Sequence, residues 1–262
     1  MRTTEYLEDF YSSHDEDARL TDFRLGQVEY LTTRKYLDAL LFPACKIAEI
    51  GAGTGRYSVT LAQEGYDVTA VELLKINLDV MKGKLNGNEN IQIYQGNALK
   101  LGMLNDNVFD VTLVLGPLYH LYTEKQQLKA LREAVRITKP GGHILVAYCM
   151  NEATVIQYIF GKDMYAPLII RDMITEDWHC LSEPEDIFQL MRTEDIEKLN
   201  AQLPVERVKL VATDGASGYI KNQLQWFDDA KFRLWLHYHF MTCERQDLIG
   251  ASNHTLDILR KK

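Results

Sequence analysis

The chain is expected to fold as an α/β protein around a doubly wound, mostly parallel sheet. Strand-like and helix-like segments alternate through residues 46–148, a glycine turn joins the first strand to a helix, and one apolar run is nearly continuous. Lys46–Ile50 is the first strand. It breaks at Gly51-Ala52-Gly53-Thr54-Gly55, a turn whose glycines let backbone approach a ligand closely. The helix that opens near Gly55 stops near Gly65, a C-cap residue. Asp67–Glu72 is the second strand, and the next helix places Ile76, Val80 and Lys84 on one face. Ile91–Tyr94 reads as the third strand and Asp110–Leu115 as the fourth. The run Val111, Leu113, Val114 and Leu115 fits a central strand buried on both faces. Thr123 and Gln126 form a capping box for a helix with Leu128, Leu131 and Val135 on one face. Pro140-Gly141-Gly142 ends that helix, and His143–Tyr148 is the fifth strand.

The rhythm then changes. Residues 151–192 are rich in aromatics and methionines and are broken by Gly161, Pro167 and Pro184. This stretch reads as a cap inserted after the fifth strand to cover a substrate, with Ser182 and Glu185 capping a short helix that ends near Met191. Val205–Ala212 is a sixth strand. Trp226–Thr242 is a helix in which Phe227, Leu234 and Met241 recur every seven residues, and Asn253–Leu259 is the last strand. The first forty residues supply one or two helices, the second being Phe23–Leu41. The expected organisation is a helical lid over 1–44, an α/β core over 45–149, the cap over 150–192, and completion of the core by 193–262.

With 262 residues, the chain can bury a sizeable core. Its net charge of −8 argues against nucleic acid or an anionic membrane surface as a partner. Cys45, Cys149, Cys180 and Cys243 are scattered without metal-like spacing, so no metal is implied. Nor do His237 and His239, two apart on a helix, form an i, i+4 ligand pair. The N-terminus lacks the apolar stretch of a signal peptide, which leads to the expectation of a soluble, cytoplasmic protein. Oligomeric state is not legible.

The spacing of the glycines discriminates between ligands. A dinucleotide fingerprint needs a glycine where Arg56 stands. The run Glu49-x-Gly51-x-Gly53-x-Gly55 instead resembles the first motif of class I S-adenosylmethionine (SAM) methyltransferases, whose fold is Rossmann-like. Three further segments agree in order across residues 45–150: Val71-Glu72-Leu73, Gly96-Asn97-Ala98-Leu99, and the strand and loop from Phe109 to Leu121. The last ends in Gly116-Pro117-Leu118-Tyr119-His120-Leu121, similar to a loop in bacterial small-molecule methyltransferases. It departs from the Asn/Asp-Pro-Pro-Tyr/Phe loop of amino-directed DNA and protein-glutamine enzymes.

The resemblance implies SAM as cofactor, held by Glu49, Gly51, Ala52, Gly53, Thr54, Gly55, Glu72, Leu73, Asn97, Ala98 and Leu115. Amides at the helix start suit the methionine carboxylate, and Glu49 suits the amino group. Glu72 can accept from both ribose hydroxyls at once. Asn97 stands where the family usually has an aspartate that accepts from the adenine amino group; an amide carbonyl still accepts, without the charge.

His120 and Tyr119 are the catalytic candidates. His120 is a general base, an acceptor contact or a structural loop residue; Tyr119 orients the acceptor or faces the sulfonium. Tyr11, Tyr30, Tyr158, Trp178 and His179 are weaker candidates for contact with the substrate. The expected function is methyl transfer to an O, N or S atom of a small molecule. The alternatives are an RNA or protein methyltransferase, a non-catalytic SAM binder and an NAD oxidoreductase. The polar stretch Cys243-Glu244-Arg245…Gly250-Ala251-Ser252-Asn253-His254 has no assigned role.

Overall fold

The computed structural model describes residues 2–13 and 16–262. Three N-terminal helices, α1 (Arg2–Ser13), α2 (Glu16–Arg19) and α3 (Arg24–Asp38), precede an alternating run: β1 (Lys46–Ile50), α4 (Arg56–Gln63), β2 (Asp67–Glu72), α5 (Lys75–Gly83), β3 (Ile91–Gln95), β4 (Phe109–Val114), α6 (Glu124–Ile137) and β5 (Thr138–Met150). Then follow α7 (Asn151–Thr154), α8 (Tyr165–Ile170), β6 (Leu190–Met191), α9 (Thr193–Asn200), β7 (Val205–Ala212), α10 (Lys221–Leu224), α11 (Asp229–Thr242), α12 (Gln246–Ile249) and β8 (His254–Lys261).

The sheet order is β3-β2-β1-β4-β5-β8-β7, with β6 pairing beside β5. Strands β1 to β5 pair in parallel, and β8 runs antiparallel between β5 and β7. This is the doubly wound, mostly parallel sheet expected. The chain reverses its winding between β1 and β4, and ligands of such sheets bind at the carboxyl ends of the strands flanking that reversal. Ile47, Leu113, Ile144 and Leu145 are fully or almost fully buried along these central strands, and α6 packs Leu128, Leu131 and Val135 onto them. Thr123 caps α6 as expected, accepting from the Gln126 N–H at 3.3 Å.

Several expectations are corrected. No helix ends near Met191: a single turn at Pro184–Asp186 has Glu183 rather than Ser182 at its N-cap position, where the Glu183 N–H donates to Asp186 Oδ2, and residues 190–191 extend beside β5 as β6. Helix α11 starts at Asp229, because Asp228 accepts from the Lys231 N–H and caps it. Its inward residues are Phe232 and His239, one heptad apart, whereas Leu234 and Met241 are each 70% exposed. On α5 the buried residues are Asn77, Leu78 and Met81, and Ile76 and Val80 face outward. The four cysteines are free and buried, and no described helix is long and apolar enough to cross a membrane.

Candidate active site

The glycine turn after β1 and the Gly116-Pro117 turn after β4 abut at the sheet reversal. Gly51 has φ +73°, and a Cβ there would stand 2.6 Å from Pro117 Cγ. Glycine is therefore required twice over at this position, by conformation and by space. Gly53 also has positive φ, +56°, but nothing lies within 4 Å of the place its Cβ would take. That side of the turn is an open cradle. We expect Gly51→Ala to lower stability by about 1–3 kcal/mol and to part the two turns. A thermal melt and a cofactor titration check both effects.

Glu72 ends β2 at the rim of the cradle. Its Oε2 accepts from the Gly53 N–H at 2.9 Å, and its Oε1 accepts from the Leu74 N–H at 2.9 Å and from Asn77 Nδ2 at 3.3 Å. The carboxylate thus locks the glycine turn to the next strand end. Glu49, at the end of β1, is buried and accepts from both the N–H and the hydroxyl of Ser58. Burial pushes its carboxyl up to about 8; the Ser58 bonds oppose the rise and the nearby Glu72 charge adds to it.

One cavity of about 270 Å³ unites these groups with the predicted acceptor end. Glu49, Gly51, Ala52, Gly53, Thr54, Glu72, Leu73, Asn97, Ala98 and Leu115 line it, as do Tyr11, Tyr119 and His120. Gly55 is not in the lining: it is the N-cap of α4 with φ +83°, and a Cβ there would stand 2.5 Å from Met81 Cγ. Asn97 faces the cavity, yet its Oδ1 already accepts from the Leu99 N–H at 2.9 Å, so it also shapes its own turn.

Four weaker substrate candidates fall outside the lining. Tyr30 packs on Tyr57, ring centroids 5.2 Å apart, beneath the Arg56 guanidinium. Tyr158 is exposed under the Lys162 ammonium, and Trp178 stacks on Phe160 at the outside of the cap. His179 turns toward the Leu190 carbonyl and Asp195. No cap residue lines the cavity. The cap's aromatics pack on one another or face out, and α1 and α2 close the cavity instead, through Thr4, Leu7, Tyr11 and Arg19.

His120 bridges the lid and the loop before β6. Its Nδ1 lies 2.9 Å from the Ile187 carbonyl oxygen and its Nε2 lies 2.9 Å from Tyr11 Oη. Burial pushes the imidazole down to about 4, with the Ile187 bond a smaller opposing effect, so the ring is neutral near pH 7. The Tyr119 phenol is buried, and desolvation holds its pKa well above the usual tyrosine value.

Sequence reasoning missed a set of buried charges behind Tyr119. Asp214 accepts from Ser252 Oγ at 2.6 Å, the Asn253 N–H at 2.8 Å and His254 Nδ1 at 2.9 Å. Glu29 Oε2 stands 3.6 Å from the same imidazole nitrogen, and its carboxylate holds the cavity-lining Arg19 guanidinium at 2.7 and 3.3 Å. The acids and the imidazole lie close enough to bind a cation. The Arg19 contact on Glu29 Oε2 favours an ion-pair network instead. Burial opposes the charge on His254, but Glu29, Cys149 and Asp214 together hold its pKa well above the usual histidine value. Burial also opposes the Asp214 charge, and the His254 pair with the Ser252 and Asn253 bonds hold its pKa below the usual value.

The pH dependence follows from these directions. The raised His254 pKa gives stability that is full below the ordinary histidine range and lost as pH rises through the folded value. The lowered Asp214 pKa gives stability that is full above the ordinary aspartate range and lost as pH falls through the folded value. Thermal melts across pH are therefore expected to show a plateau between the ordinary aspartate and histidine ranges, and His254→Asn should remove its alkaline edge. An unchanged alkaline edge would contradict the assignment.

Comparison with known proteins agrees with this geometry. Residues 48–146 match the family described as Methyltransferase domain. The ubiquinone biosynthesis O-methyltransferase of Rickettsia typhi is 27% identical over 187 residues, 65% of this chain and 68% of that protein. The demethylmenaquinone methyltransferase of Renibacterium salmoninarum is 35% identical over 106 residues, 40% of this chain and 41% of its own. The curated relatives are thus matched over part of their length. A SAM-dependent methyltransferase structure from Thermotoga maritima superposes with a TM-score of 0.59 at 19% identity, covering 99% of this chain and 100% of the other; this likeness carries the fold. The glycine loop, the sheet order and the family match agree: residues 48–146 form a methyltransferase domain on a doubly wound, mostly parallel sheet.

Proposed function

We propose that the protein transfers the methyl group of SAM to an O, N or S atom of a small-molecule acceptor. The observation that carries this reading is the single cavity joining the glycine cradle and Glu72 to Tyr11, Tyr119 and His120. The open side of Gly53 gives the cofactor's amino-acid end room against backbone. Gly51, Ala52, Gly53, Thr54 and Gly55 form the cradle, with Glu49 for the ammonium group and Glu72 for the ribose. Leu73, Asn97, Ala98 and Leu115 flank the adenine and the sulfur. The bound cofactor supplies an electrophilic methyl on a sulfonium, so alignment accounts for much of the rate. Tyr119 and His120 flank the transfer position, and α1 excludes water from it. The same reading divides the chain into lid (1–44), core (45–149), insertion (150–192) and completion (193–262).

The relatives named for quinone methylation support a small-molecule acceptor. The net charge of −8 gives no support to an RNA acceptor. A cytoplasmic setting, where the buried thiols stay reduced, belongs to the same proposal.

Two expected results test it. Incubated with SAM, the protein should release S-adenosylhomocysteine when given the small-molecule filtrate of a bacterial extract. Release driven by the macromolecular fraction alone would favour the RNA or protein reading. In addition, the Glu49 carboxyl, raised to about 8 by burial, is mostly protonated at pH 7 and should ionise when the cofactor's ammonium arrives. Titrations in buffers of different ionisation enthalpy should then show net proton release, absent in Glu49→Gln. Equal enthalpies in all buffers would contradict the role given to Glu49.

A further inference from the structure

A second hollow lies between α6 and the turn that follows β3. Its lining sets Lys100, Lys129, Arg132 and Arg136 against the single carboxylate of Glu133. Of its lining residues only Leu99 also lines the cavity at the sheet reversal. Such a surplus of cations stands out in a chain whose net charge is −8.

The one balanced pair in the hollow fixes its walls. Arg136 Nε and Nη2 donate to the two Glu133 oxygens at 2.8 and 3.0 Å. The same guanidinium donates to the Leu101 and Leu104 carbonyls and to Asp106 at 2.6–2.9 Å. Glu133 Oε2 also accepts from the Leu101 N–H at 2.7 Å. Residues 101–106 are thereby stapled to α6, and Lys100, at the head of that segment, is brought to the same hollow as Lys129 and Arg132.

Those three cations are uncompensated. Among the described residues, none of Lys100, Lys129 and Arg132 makes a hydrogen bond or an ion pair. Glu133 is near enough to feel the Lys129 charge, but Arg136 and Leu101 already occupy both its oxygens. Lys125, Lys129 and Arg132 follow one another at four and three residues on one face of α6, so they repel. Lys125 also stands in the first turn, where the helix dipole disfavours a cation. The pattern works against α6 alone, and an anion in the hollow relieves it. Gly102 leaves room there, with nothing within 4 Å of the place its Cβ would take.

The donors select the kind of anion. An arginine fork matches two oxygens of a phosphoryl group, and lysine ammoniums add point charges for the others. A carboxylate, with two oxygens and one charge, falls short of three cations. We propose that this hollow binds a phosphoryl anion through Arg132, Lys129 and Lys100. The site stands apart from the methyl-transfer reading, and its test uses no methyl donor.

The probe is pyrophosphate, titrated calorimetrically into the full chain at constant ionic strength in phosphate-free buffer. Saturable binding at one site is expected, with inorganic phosphate competing. Arg132→Ala and Lys129→Ala should each weaken it about tenfold or more, the scale of one charge-assisted hydrogen bond. Lys221→Ala removes the same charge from an exposed position outside both linings and should leave the affinity unchanged. Pyrophosphate should raise the melting midpoint of the wild type and of Lys221→Ala, but not that of Arg132→Ala. Without the anion, Arg132→Ala should melt at or above the wild type, so that lost binding is not lost folding. Titration with ADP separates the sources: binding tighter than pyrophosphate, and lost in Arg132→Ala, assigns the phosphoryl group to a nucleotide, and weaker binding assigns it to the free anion.

No saturable binding, or an equal loss in Lys221→Ala, would mean solvated surface charge only and overturns the site. Binding unchanged in both α6 variants puts the anion elsewhere and overturns it too. So does an RNA oligomer that binds far more tightly than pyrophosphate and is released by Arg132→Ala, since the face would then be a nucleic-acid surface.

Discussion

Replacing Glu72 by alanine is expected to weaken S-adenosylhomocysteine binding about 100-fold or more, the equivalent of two charge-assisted hydrogen bonds of roughly 1.5 kcal/mol each. The carboxylate stands at the carboxyl end of β2, on the rim of the cavity, where a ribose carried by the glycine cradle would meet it. The loss has a second source. Glu72 also accepts from the Gly53 N–H, the Leu74 N–H and Asn77 Nδ2, so its removal frees the turn that shapes the cradle. Glu72→Gln separates the two contributions. It keeps the volume and one acceptor oxygen but turns an NH2 group toward neighbours that are themselves donors. Binding should weaken about tenfold if turn geometry dominates, and nearly as far as in the alanine variant if the charge on the ribose dominates. Calorimetry on both proteins, with thermal melts to confirm folding, distinguishes these cases. Unchanged affinity in Glu72→Ala would remove Glu72 from the cofactor site.

The second large effect concerns stability. Asp214→Ala is expected to cost about 3–5 kcal/mol, as for other buried ion pairs broken on one side, and to lower the melting midpoint by roughly 10 °C. Asp214 is 1% exposed, and its carboxylate serves three neighbours on the segment leading into β8: Ser252, Asn253 and His254. Truncation leaves the Asn253 N–H without this acceptor and leaves His254 facing Glu29 alone, which Arg19 already engages. The disturbance therefore reaches from a C-terminal strand to a residue in the cavity wall. A small shift, within about 0.5 kcal/mol, would mean that these charges are solvated rather than locked together.

The part of the molecule written in local pattern was legible. The glycine spacing, the acid ending β2 and the apolar run of β4 each depend on neighbours within a few positions, so periodicity and turn chemistry reveal them. The parallel core followed from them. What escaped depends on long-range packing. Tyr11 and His120 are 109 residues apart, and no local signal says that the lid helix seats one against the other. The network of Arg19, Glu29, Asp214 and His254 likewise draws on four separate elements or turns. The polar stretch ending in His254 was visible as a stretch; its use, sealing the end of β8 against Asp214, required the fold. The cap misled for another reason. Aromatic and methionine content reads the same whether the side chains line a ligand, fill a core or face outward. In residues 151–181 many face outward, Phe160 and Ile170 among them. The helix α11 repeat failed similarly: Phe232 and His239 share the seven-residue spacing of Leu234 and Met241, and only packing decides which pair turns inward.

The central claim is that the cavity at the sheet reversal holds SAM. Calorimetric titration of the purified protein with SAM, S-adenosylhomocysteine and NAD tests it most directly. Micromolar binding of SAM and S-adenosylhomocysteine is expected, of the order of −8 kcal/mol, with no heat from NAD. Binding of NAD in their place, or no binding of either SAM species, would contradict it.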